Sequence, residues 1–128
     1  MKALLDTHTF LWWVTNNSQL SPYVRDIITD VANTIVISAV SGWEMAIKVR
    51  SGKLTLAEDL ERFVQDQVVL NNFTILPIHL HHALYVSQLP LYHRDPFDRL
   101  LIAQSLIENL PLLSIDPLIR QYAVQTIW

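Results

Sequence analysis

Four acids, Asp6, Glu44, Asp98 and Asp116, fall where apolar runs meet helical patterns. Asp6 closes the first short apolar run and Asp116 closes a late one, while Glu44 and Asp98 fall in the expected first turns of two helices. Carboxylates gathered in a small volume repel one another, and they stay ionised together only when cations or basic groups compensate them. A donor set made of oxygen suits hard cations such as magnesium or manganese. Such ions acidify bound water and stabilise charge on a phosphoryl group, so the chemistry within reach is phosphodiester hydrolysis.

Each acid also has an ordinary structural reading. Asp6, Asp95 and Asp116 stand where a helix N-cap is wanted. Ser41-x-x-Glu44 matches a capping box, and Glu44 can pair with Lys48 one turn later. Asp98 in a first turn is favoured by the helix dipole. What sets Asp98 apart is that it shares a helix face with Leu101, Ile102 and Ser105, the spacing of an inward stripe. An acid facing inward needs a partner or a metal. Asp95 precedes Pro96, which disfavours helical geometry, so Asp95 is assigned to capping and Asp98 to the site.

The elements that must position these acids alternate between strand and helix. Strands are expected at Ala3–Leu5, Thr34–Ile37, Phe73–Ile78, Pro111–Ile115 and Ala123–Trp128. Helices are expected from Thr9 to Val14, after the Ser21-Pro22 cap, around Trp43–Arg50 ending at Gly52, over Leu56–Leu70, over Leu80–Leu89, and from Asp95-Pro96 to Asn109. A short helix is expected after Asp116-Pro117. Strands separated by helices imply a mainly parallel sheet covered on both faces, with ligands bound beyond the carboxyl ends of the strands. Asp6 and Asp116 then share one edge, and Glu44 begins at the same rim. Asp98 joins them if the Leu91–Asp95 connection returns to that edge.

The 128 residues suit one domain, with no linker, repeat or low-complexity tract. Apolar residues make up 51% and charged residues only 16%, so part of the apolar surface is expected in an oligomer or partner interface. No run approaches the roughly 18–20 apolar residues that span a bilayer. The segment Met1-Lys2-Ala3-Leu4-Leu5-Asp6 turns acidic too soon for a signal peptide, and the chain has no cysteine, so a cytoplasmic protein without thiolate metal sites is expected. A net charge of −3 argues against a general nucleic-acid coat but not against an enzyme acting on RNA.

Leu4-Leu5-Asp6-Thr7-His8 resembles the opening of PIN domains, and Ser38-Ala39-Val40-Ser41-Gly42-Trp43-Glu44-Met45-Ala46-Ile47-Lys48 resembles the segment carrying their glutamate. His93-Arg94-Asp95-Pro96-Phe97-Asp98-Arg99-Leu100-Leu101-Ile102-Ala103-Gln104 is very like a signature of one branch of VapC-type toxins. Leu112-Leu113-Ser114-Ile115-Asp116 resembles the last acidic strand end. The resemblance runs in order along essentially the whole chain, and the Asp-Pro-Phe-Asp-Arg segment is its specific part. It implies an α/β PIN-like three-layer sandwich with about five strands flanked by helices. It also implies metal-dependent endoribonuclease activity with Mg2+ (or Mn2+) and pairing with a VapB-type antitoxin. The metal-binding and catalytic acids of the family map onto Asp6, Glu44, Asp98 and Asp116. The fourth acid varies within the family. In-line attack by water does not use the ribose 2′-hydroxyl, so the preference for RNA rests on the resemblance.

The remaining polar residues are read more plainly. Lys48, Arg94 and Arg99 could meet phosphates or compensate nearby acids, His8 could touch substrate or cover the rim, and Thr7 could orient water or cap a helix. His79, His81 and His82 are expected to be solvated rather than a zinc site. Trp12, Trp13 and Trp43 are expected in core or interface, in keeping with a homodimer. A receiver-like phosphoacceptor is disfavoured, because Asp6 is a single acid and no lysine follows Lys53. A catalytically silent PIN-like interaction module is the alternative.

Overall fold

Period-two alternation divides the core. In β1 (Lys2–Leu5), Ala3 and Leu5 pack into one apolar cluster and Leu4 into another. In β2 (Thr34–Ser38), Ile35 and Ile37 join the first cluster and Val36 the second. In β4 (Leu112–Leu113), Leu113 joins the first and Leu112 the second. These strands are apolar on both sides because both faces of the sheet are covered.

The computed structural model describes residues 1–128. Its sheet has five strands in the order β3-β2-β1-β4-β5, with β3 at Thr74–Leu76 and β5 at Thr126–Ile127. Every neighbouring pair is parallel; Leu4 stands opposite Val36, and Leu5 opposite Leu113. One face carries Phe10 of α1 (Thr7–Val14), Val24, Ile27 and Ile28 of α2 (Pro22–Thr29), and Met45 of α3 (Ala39–Arg50). Partly buried residues of α4 (Leu60–Asn71) pack on the same cluster. The other face carries Leu100, Leu101 and Ile102 of α6 (Pro96–Glu108). No helix is long and apolar enough to cross a membrane.

The sequence signals set most of the boundaries. Ser21 accepts a hydrogen bond from Val24 N with Pro22 at the first helical position, and Asp95 caps α6 ahead of Pro96. Gly52, just past α3, has φ +80, a conformation that glycine adopts without a Cβ penalty. Other elements differ from the sequence expectation. The helix expected from Leu56 starts at Leu60, because the Asp59 carboxylate caps it at Arg62 N. Strand β3 stops at Leu76, since Pro77 has no N–H for the ladder. The helix expected over Leu80–Leu89 is α5 (Leu80–Tyr85) followed by a 3-10 turn at Val86–Gln88.

Two connections place the site. Asp6 alone joins β1 to α1, and Ser38 passes directly into α3, so both helices begin at the carboxyl edge of the sheet. Helix α6 enters β4 through a short link at Asn109–Pro111, so its C-terminus lies near the amino end of that strand. At about 1.5 Å per residue, its first turn lies about 20 Å back, at the carboxyl edge. The strand order reverses at β1 and β4, the kind of position where α/β sheets open a crevice for ligands.

Candidate functional site

Asp6 stands at that edge of the sheet and is almost fully buried, with its Oδ1 accepting the Thr9 N–H at 2.7 Å. Thr9 in turn donates its hydroxyl to Leu113 O, which fastens the start of α1 to β4. Burial raises the Asp6 pKa above the usual carboxylate range, against the opposing effect of hydrogen bonds from Ser114 and Thr9.

Asp98 is the third residue of α6, where its backbone N–H is capped by Asp95 Oδ1 at 3.1 Å. Its carboxyl pKa is pushed up to about 7, first by burial and then by the negative charges of Asp95, Glu44 and Asp6, with His93 acting in the opposite sense. Leu101, Ile102 and Ser105 are buried as the inward stripe requires.

Glu44 lies in the second turn of α3, not the first. Ser38 caps the helix through Val40 N, and the expected capping box does not form; the Ser41 hydroxyl accepts the Thr7 hydroxyl at 2.9 Å instead. Glu44 Oε2 meets Lys48 Nζ at 2.5 Å. Its Oε1 is buried and has no hydrogen-bond partner, a costly condition for a carboxylate oxygen.

Asp116 lies beyond β4, with Oδ1 accepting Leu118 N at 2.8 Å and Oδ2 accepting from His93 Nε2 at 2.9 Å. The charges of Glu44 and Asp6 both act on Asp98, and His93 Nε2 stands between Asp98 and Asp116. In Asp6 and Asp116, capping occupies Oδ1, so a local cap and a place in the cluster are compatible in one side chain.

His93 opens the signature segment, and its spacing alone points to no role. Its Nε2 stands 3.0 Å from Asp98 Oδ2 as well as 2.9 Å from Asp116 Oδ2. The signal available in sequence was a histidine close to an acid cluster; what was missing was Asp116, 23 residues away along the chain.

Arg99 also departs from expectation. Its guanidinium does not face the crevice; it donates to the carbonyls of Val86, Leu89, Pro90 and His93 and to Tyr122 Oη. Five rigid donors suit such a cage of carbonyls, and they hold the loop that carries His93. Arg94 and His8 are exposed at the rim. Trp43 is half exposed and meets Phe97 edge-on, while Trp12 meets Trp128.

His82 corrects the expectation of a solvated histidine run. It is fully buried, with Nδ1 accepting His79 N at 3.0 Å and Nε2 at 2.8 Å from Glu108 Oε1. With Nδ1 accepting, the ring proton is on Nε2, so that nitrogen cannot also be a metal ligand.

Residues 3–125 match the PIN domain family. The chain belongs to that family. Ribonuclease VapC16 of Mycobacterium tuberculosis (strain ATCC 25618 / H37Rv) is 46% identical over 44 residues, which span 34% of this chain and 31% of that relative. Among solved structures, VapBC2 from Rickettsia felis bound to a promoter DNA fragment superposes with a TM-score of 0.72 at 14% identity, covering 100% of this chain and 99% of that one. FitAcB from Neisseria gonorrhoeae gives 0.67 at 19% identity, covering 100% and 97%. At these identities the two structures speak for the fold. In this PIN domain, Asp6 and Asp98 stand at the carboxyl edge of the sheet, carboxylate oxygens of the kind that suit a hard divalent cation.

Proposed function

We propose that this protein is a metal-dependent endoribonuclease, the toxin of a VapBC-type pair, with the whole chain forming one PIN domain. The observation that carries the reading is Glu44 Oε1, buried and unpartnered among acids whose own burial raises their pKa. That surplus of negative oxygen fits a cation better than it fits an empty core. The relative named a ribonuclease supports the RNA substrate, and the VapBC2 and FitAcB structures among the structural neighbours support an antitoxin partner.

Asp6, Glu44, Asp98 and Asp116 would hold Mg2+ or Mn2+. A bound divalent cation would supply Lewis acidity toward water and the phosphoryl oxygens. As ligands, Asp6 and Asp98 would act in their carboxylate forms. Lys48 neutralises Glu44 Oε2 and leaves Oε1 buried without a partner. Arg94 is the exposed cation at the rim that can meet the RNA backbone. The exposed Trp43, Ile47, Leu80 and Leu84 supply apolar surface for an antitoxin or a second copy, in a cytoplasmic homodimer.

The deciding experiment is cleavage of single-stranded RNAs by antitoxin-free protein with Mg2+, Mn2+ or EDTA, beside Asp98→Asn. Metal-dependent cutting that the substitution removes is expected. Folded protein that cuts none of a varied RNA set in either metal would overturn the reading in favour of a silent interaction module.

A further inference from the structure

We propose that His93 is a positioning residue, whose Nε2–H holds Asp116 against Asp98 and so completes the acid set. The inference rests on the metal-site reading above.

The tautomer follows from the backbone. Asp95 N donates to His93 Nδ1 at 3.1 Å, so Nδ1 carries no proton and the ring proton sits on Nε2. That N–H meets Asp116 Oδ2 at 2.9 Å, and Asp98 Oδ2 lies 3.0 Å from the same nitrogen. Ligand atoms of His93, Asp98 and Asp116 lie within 4.8 Å of one another, which by atom type alone could suggest a histidine metal ligand. The protonated Nε2 excludes that role while the Asp95 bond persists. Two carboxylates this close repel each other, and the N–H between them offsets that repulsion. Asp116 needs the help most, since its own segment secures only Oδ1 through Leu118 N.

The ring is held from behind. His93 N donates to Tyr122 Oη at 2.8 Å, and Tyr122 Oη donates to Pro90 O at 2.6 Å. Arg99 caps the same loop through Pro90 O and His93 O. A buried histidine with its backbone, Nδ1 and Nε2 all committed has little freedom to turn. Groups that orient metal-holding side chains in this way typically govern affinity as well as activity.

The test is Mn2+ titration of the full chain, read from the free-ion EPR signal, with His93→Ala, His93→Gln, Asp116→Asn and the His93→Ala/Asp116→Asn pair. Imidazole-nitrogen NMR of the wild type reads the tautomer. His93→Ala is expected to weaken Mn2+ binding about tenfold or more, and His93→Gln, which keeps an N–H donor, to recover part of that loss. In the Asp116→Asn background the alanine change should cost much less, because the two residues act as one unit. Wild-type binding left unchanged by His93→Ala overturns this proposal alone, as does a wild-type ring protonated on Nδ1 with Nε2 on the metal. Wild-type protein that binds no Mn2+ overturns the metal reading, and this proposal with it. Should His93→Ala fail to fold, the glutamine variant and the wild-type tautomer decide the matter.

Discussion

Helix α6 carries a histidine–carboxylate pair at each end, and the two pairs are built alike. At its start, His93 accepts Asp95 N on Nδ1 and offers Nε2 to Asp116 and Asp98. At its end, His82 accepts His79 N on Nδ1 and offers Nε2 to Glu108. The difference lies in what surrounds them. The His82 pair has one acid, partly exposed, and Gln104 Nε2 3.4 Å from Nδ1. The His93 pair is joined by Asp6 and Glu44, whose charges add to those of Asp98 and Asp95. A histidine paired with a carboxylate is therefore a strut in one place and part of a prospective site in the other. The surplus of buried acid, not the pairing, separates them.

The sharpest way to break this comparison is to remove one acid from each end. Asp98→Asn should lower RNA cleavage by at least about a hundredfold, while Glu108→Gln leaves it unchanged. Equal losses, measured under the same metal concentration, would mean that the two ends are not distinct.

The strut end should show its value in stability instead. His82→Ala removes a fully buried ring and leaves His79 N without its partner. A cost of about 2–4 kcal/mol is expected in urea unfolding, with metal affinity of the folded fraction unchanged. A cost below about 0.5 kcal/mol would show that His82 is not structural.

The acid end should show the reverse sign when metal is absent. Asp98 holds its proton up to about pH 7 in the folded chain, against 3.8 as its ordinary value. Across that window the folded state binds more protons than the unfolded state, so its stability falls as pH rises and is lowest above pH 7. Asp98→Asn should therefore stabilise the metal-free protein at about pH 8 by about 1–3 kcal/mol, after allowance for partial solvent screening. At about pH 4 the gain should vanish. Thermal unfolding in EDTA at both pH values reads this, and a gain of equal size at both would remove Asp98 as its source. The smallest effect expected is that of Glu108→Gln, within about 1 kcal/mol, because the partner acid is at the surface.

Much of this architecture was legible in local sequence. Ser21-Pro22 and Asp95-Pro96 each start a helix because a side-chain oxygen caps free N–H groups and proline presets φ. Apolar runs separated by helical patterns dictated a parallel sheet, and that sheet alone puts Asp6 at a ligand-binding edge. Such features depend on a few neighbouring residues or on the pattern of the chain as a whole. The place of Asp98 was left open, because it depended on whether the Leu91–Asp95 connection returns to that edge; the length of α6 and its short link into β4 decide that it does.

Tertiary structure decided the partners. Nothing near His93 in sequence names Asp116, and nothing near Arg99 names the four carbonyls it satisfies. Ser41 was expected to cap its own helix, yet Ser38 took that place and left Ser41 to Thr7, 34 residues away. Glu44 was visible as an acid, but only packing showed that Lys48 reaches one of its oxygens and not the other. Hydrogen-bond partners and desolvation are set where distant segments meet, so composition and spacing supply the chemical groups and the fold decides which of them are left for a ligand.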